Sequence, residues 1–118
     1  MSSIAAIDRF AQAWGEPDRS RRADHVRAAF ASTFTYADPR SPEPVTSHDD
    51  FTDMLSHYVS SMPGAGVELD DDGNARADCA LARLSFVSES GVMGRGVYYF
   101  ELDGDGLISK AVGFVDKS

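Results

Sequence analysis

Past Pro63-Gly64 the apolar periodicity of this chain changes from helical to alternating and does not change back. Upstream, three segments space their apolar residues three and four apart. Downstream, Val67 to Asp71, Ala77 to Ser88, Val92 to Leu102 and Leu107 to Val115 read as strands. Asp72-Gly73-Asn74, Glu89-Ser90-Gly91 and Asp103-Gly104-Asp105-Gly106 join them as tight turns. Helices first, strands last and short turns between them predict an α+β chain, its antiparallel sheet covered by helices on one face.

The helical half is punctuated clearly. Ile4, Ile7, Phe10, Ala11 and Trp14 form the first apolar stripe, and Gly15-Glu16-Pro17 ends it. Asp18 or Ser20 caps a second helix, expected to turn Ala23, Val26, the stem of Arg27 and Phe30 inward. Thr33 to Tyr36 prefer extended structure, and Asp38-Pro39 closes that strand because the residue before proline is pushed out of helical geometry. Ser47 and Asp50 make a capping-box pattern before Phe51, Met54, Leu55, Tyr58, Val59 and Met62, a continuous stripe on a third helix.

At 118 residues the chain is one domain, residues 1–118, and can bury a core without staples. Its single cysteine, Cys79, reads as packing and points to a reducing compartment. A formal charge of −8 repels phosphate backbones and anionic lipid, so neither nucleic acid nor membrane is an expected partner. The one basic run, Arg19-Ser20-Arg21-Arg22, is flanked by Asp18 and Asp24. Met1 to Trp14 lacks a leader pattern and no apolar run reaches membrane-spanning length, which predicts a soluble, cytoplasmic protein.

The order of elements resembles the nuclear transport factor 2-like superfamily and within it the SnoaL-like proteins, the group that includes polyketide cyclases and ketosteroid isomerases. Ala13-Trp14, Tyr36-Ala37-Asp38-Pro39, Pro63-Gly64, Arg83 with Phe86, Asp105-Gly106-Leu107-Ile108 and Val112-Gly113-Phe114 carry the likeness across nearly the whole chain. The resemblance implies a cone-shaped fold, three N-terminal helices packed on a curved, mostly antiparallel sheet. It hosts isomerases, cyclases, dehydratases, hydrolases and plain binding modules, so function is argued from the site.

In the resembled fold the strand face bearing Phe34, Tyr36 and Asp38 looks into the cone. The stretch Tyr36 to Pro44 is similar to the ketosteroid isomerase segment in which the Asp before Pro is the catalytic base, which makes Asp38 the candidate base here. As a residue type, Asp38 equally suits accepting backbone hydrogen bonds in the loop it begins. The same alignment sets Phe10 where the isomerase has an oxyanion-hole tyrosine and Tyr98 where it has a protonated Asp, so one donor replaces two. His48, at the start of helix three beside the proline loop, is a second proton-transfer candidate.

Trp14, Tyr36, Met54, Tyr58, Phe86, Phe100 and Phe114 are the expected walls of a site for a small apolar or aromatic ligand; filled core is the alternative for each. Alternation places Val112 and Phe114 inward beside Leu84, Phe86, Tyr98 and Phe100. It leaves Cys79, Leu81, Arg83, Ser85, Val97, Tyr99, Glu101, Ala111, Gly113 and Val115 on the outer face. That face is too apolar for open solvent, and members of the resembled family often pair through it, so a homodimer is expected. His25, His48 and His57 lack metal-ligand spacing, and the Asp-rich turns lack a full calcium-ligand series, so no metal or cofactor is expected. Three readings follow: an isomerase, cyclase or dehydratase working through Asp38, a non-catalytic small-molecule binder, or a dimeric interaction module.

Overall fold

The computed structural model describes residues 5–39, 43–62, 64–70, 74–76 and 78–115, with the backbone alone for 74–76 and 115. Ile4, Pro42, Pro63 and the turn at Asp72-Gly73 lie outside the described residues. Helices α1 (Ala5–Gly15) and α2 (Arg19–Ala29) form a hairpin. Strand β1 (Phe30–Ala37) follows α2 directly, and α3 (His48–Ser61) precedes β2 (Gly66–Leu69), β3 (Asn74–Arg76), β4 (Cys79–Ser88), β5 (Gly91–Leu102) and β6 (Ile108–Val115). The strands make one mixed sheet in the order β1-β6-β5-β4-β2, with β3 also on β4; only β1 and β6 run parallel.

The caps are those the sequence specifies. Asp18 accepts a hydrogen bond from the Arg21 amide, and Ser47 does the same for Asp50, each answering an orphan donor of a helix start. At the far end of α3, Gly64 takes φ 75°, a left-handed conformation that reverses the chain into β2.

The inner face of α2 differs from the expected one. Arg22, Val26 and Ala29 are buried, Arg27 is exposed, and Phe30 belongs to β1. Arg22 can be buried because all three guanidinium nitrogens are hydrogen-bonded: they donate to the Glu16 and Pro17 carbonyls and to Ser56 Oγ at 2.6–3.3 Å. The arginine thereby ties the α1–α2 turn to α3, satisfying carbonyls that the turn leaves open.

The inward and outward sets of β6 are likewise the reverse of those expected. Leu102 pairs with Ile108 but Glu101 pairs with Lys110, so one extra residue is accommodated between the strands. A one-residue bulge inverts every later side chain. Ile108 is buried before it, and Ala111 and Gly113 are buried after it, while Phe114 is 60% exposed and Val112 half-buried. Phe114 is therefore no wall of the cone. Ser85, expected outside, is also buried and donates to Asp70 Oδ1 at 2.7 Å.

Candidate functional site

Phe10 of α1 is the hub of the cone's interior. Its ring lies 5.2–6.1 Å from those of Trp14, Phe30, Tyr36, Phe51, Tyr98 and Phe100, and it is wholly buried. Trp14 meets Tyr58 and Phe86 edge-on at 5.0 and 5.9 Å. Of the expected walls, Trp14, Tyr36, Phe86 and Phe100 are buried, and Met54 and Tyr58 pack against the core from its margin.

Set into this apolar interior is a polar chain of three side chains. Tyr36 points inward from β1, Tyr98 points inward from β5, and Asp38 begins the loop just past β1. Tyr36 and Tyr98 are at most 1% exposed and Asp38 is 8% exposed. The Tyr36 hydroxyl donates to Asp38 Oδ2, and the two phenol oxygens stand 2.9 Å apart. A phenol has one proton. With that of Tyr36 given to the Asp38 carboxylate, the bond between the phenols has Tyr98 as its donor. The chain therefore runs Tyr98 to Tyr36 to Asp38, both protons directed at the carboxylate.

The loop after Asp38 is fastened beside the site. Val45 exchanges two backbone hydrogen bonds of 2.8 Å with Tyr36, folding the segment back along the free edge of β1. His48 is turned elsewhere: its Nε2 lies 3.3 Å from the Phe30 carbonyl oxygen and its ring packs on Phe34.

Burial holds the Tyr36 phenol well above its ordinary value near 10, and the charges that Tyr98 and Asp38 would place beside a phenolate push it further up. The neutral phenol therefore contributes stability that is complete below about pH 10, the unfolded value, and is lost as pH rises toward the folded one. Tyr36→Phe is expected to flatten the alkaline limb of a urea-stability curve taken from pH 8 to 11. An unchanged slope would place the alkaline loss elsewhere.

Among the described residues no group of three or more His, Cys, Asp or Glu is arranged to hold a metal ion. No described helix is long and apolar enough to cross a membrane. Asp103 accepts from the amides of Asp105 and Leu107, a turn-stabilising use of the carboxylate. A surface groove of about 470 Å³ lies away from Asp38, between the end of α1 and the β2 edge.

No family model and no curated protein matches the sequence. Solved structures do match. A SnoaL-like family protein from Agrobacterium tumefaciens str. C58 superposes with a TM-score of 0.85 at 23% identity, over 97% of each chain. A protein with the ketosteroid isomerase-like fold from Catenulispora acidiphila DSM 44928, in complex with trimethylamine, gives 0.78 at 11% identity, over 99% of this chain and 89% of that one. An LEH-like epoxide hydrolase of M. tuberculosis gives 0.69 at 18% identity, over 96% and 81%. The chain has the nuclear transport factor 2-like, SnoaL-like fold.

The sequence singled out Asp38, Tyr36 and Tyr98 separately, and the structure brings them together. It leaves His48 and Phe114 outside the cluster. Sequence reasoning missed Phe10 as the hub and Gly113 as a neighbour of Tyr98. The first had a signal in its place at the centre of the α1 stripe; the second was hidden by the β6 bulge.

Proposed function

We propose that the chain is an enzyme that binds a small, largely apolar carbonyl or hydroxy compound at Asp38 and moves a proton on it, as an isomerase, cyclase or dehydratase does. The buried chain Tyr98–Tyr36–Asp38 carries the reading. Asp38 as a carboxylate takes a proton from carbon beside the ligand's carbonyl, and the electron pair moves to the carbonyl oxygen. Once Asp38 is protonated it no longer draws the Tyr36 proton, so the phenol hydroxyls turn to the developing oxyanion. Return of the proton from Asp38 at another carbon completes an isomerisation. Trp14, Met54, Tyr58, Phe86 and Phe100 supply apolar contact, and no metal or cofactor takes part. His48, occupied with Phe30, is left out of the proton path. That structures of this fold include an epoxide hydrolase and a trimethylamine complex supports a site for small molecules.

A thermal-shift panel of flat ketones, phenols and polyketide-like acids tests this on wild type and Asp38→Asn. A compound that stabilises wild type and discriminates the variant supports the site. Equal shifts in both proteins would remove Asp38 from it. The close aromatic packing on Phe10 favours a second reading, an interaction module whose cone is filled by its own side chains. A panel without any shift would turn the assignment to that module.

The partner belonging to either reading is a second copy of this chain, docked on the outer sheet face. Leu81 and Phe114 are 48% and 60% exposed there, with Val97, Tyr99 and Val112 half-buried between them. Arg83 and Arg95 bound this patch at one end, and Glu101 with its cross-strand partner Lys110 at the other, charges that ring an apolar centre. Glu101 accepts from the Tyr99 hydroxyl at 2.9 Å, the main reason that phenol is pushed up to about 12. Leu81→Glu is expected to sediment as a monomer and wild type as a dimer. Equal masses would dismiss the interface.

A further inference from the structure

Tyr98 can reach Tyr36 only by crossing β6. The sheet order puts β6 between β5 and β1, and the register sets Tyr98 opposite Gly113. On the other side of β6, Ala37 pairs with Val112, which brings Gly113 level with Asp38. Gly113 is buried and faces the cone interior. A β-carbon built on it would stand 2.4 Å from Tyr98 Cζ, 2.7 Å from Cε2 and 2.8 Å from the hydroxyl oxygen. Those distances are far inside van der Waals contact, and the atoms concerned are the reactive end of the ring rather than its stem.

We infer that Gly113 is a positioning residue: its bare backbone is the gap through which the Tyr98 phenol lies across β6 and delivers its proton to Tyr36. The inference rests on the proposed role of the Tyr98–Tyr36–Asp38 chain, and it extends that role to a residue with no functional group of its own. The ring is buried and packed among other rings, which limits its freedom to move aside. Phe10 and Phe100 hold the faces of the same ring, with centroids at 5.5 and 6.0 Å. A methyl group at position 113 therefore displaces the hydroxyl, while Tyr36 keeps its bond to Asp38 from within β1.

The test reads hydroxyl protons and needs no ligand. Slowly exchanging downfield signals of Tyr98 and Tyr36 are assigned by their loss in Tyr98→Phe and Tyr36→Phe. Gly113→Ala is expected to remove or shift upfield the Tyr98 signal and retain that of Tyr36. Gly94→Ala, whose β-carbon meets nothing within 4 Å, serves as control and is expected to keep both. Retention of both signals in Gly113→Ala overturns the inference. Should Gly113→Ala fail to fold, the pair Gly113→Ala/Tyr98→Leu decides: recovery of the fold shows that the ring is what the gap admits, and continued unfolding overturns it. A failed ligand panel with these signals behaving as expected would count against the enzymatic reading alone.

Discussion

Phe10→Ala is expected to cost about 3–5 kcal/mol of folding stability, the range for deleting a large buried ring. Total stability of a domain is about 5–15 kcal/mol, so the variant stands near the edge of folding. The size follows from geometry. Phe10 touches six other aromatic rings from α1, β1, α3 and β5, and none of these elements can close over the gap without moving against the sheet. Phe10→Leu keeps part of the volume and is expected to cost less than half as much. Urea denaturation of the two variants checks the account; a Phe10→Ala loss below about 1 kcal/mol would mean that the core is centred elsewhere.

Asp38→Asn is expected to lower turnover about 10²–10⁴-fold, the usual contribution of a positioned general base. Asparagine keeps the shape, and its side-chain oxygen still accepts from Tyr36, so the protein folds with the proton acceptor gone. Tyr98→Phe acts differently. It leaves the base in place and removes the outer member of the donor chain, so its effect is smaller and falls on kcat more than on KM. Equal loss in both variants would argue that the three residues act as one hydrogen-bonded unit rather than as base and donors.

The fold was legible because its signals are local. The stripe from Phe51 to Met62, the cap at Ser47 and the change of period after Pro63-Gly64 each report on a few neighbouring residues, and together they fix helices before strands. What was hidden depends on pairings between distant segments. The bulge opposite Glu101 and Leu102 has no mark of its own in the sequence, yet it turns Phe114 out and Gly113 in. The burial of Arg22 is partly of the same kind, since it joins Glu16 and Pro17 of the α1–α2 turn to Ser56 of α3, 34 positions on. For the site, the residue types at 36, 38 and 98 suggested their chemistry, and alternation set Tyr36 and Asp38 on one face. The bond from Tyr36 to a tyrosine 62 positions away required the crossing of β6.

The central claim is that Asp38 exchanges a proton with carbon on a bound small molecule, and hydrogen isotope exchange measures that step directly. Flat cyclic ketones incubated in deuterium oxide with wild type are expected to gain deuterium at the α-carbon, with Asp38→Asn no faster than buffer. Equal incorporation by the two proteins would contradict the account, because proton transfer would then proceed without the carboxylate on which the site is built.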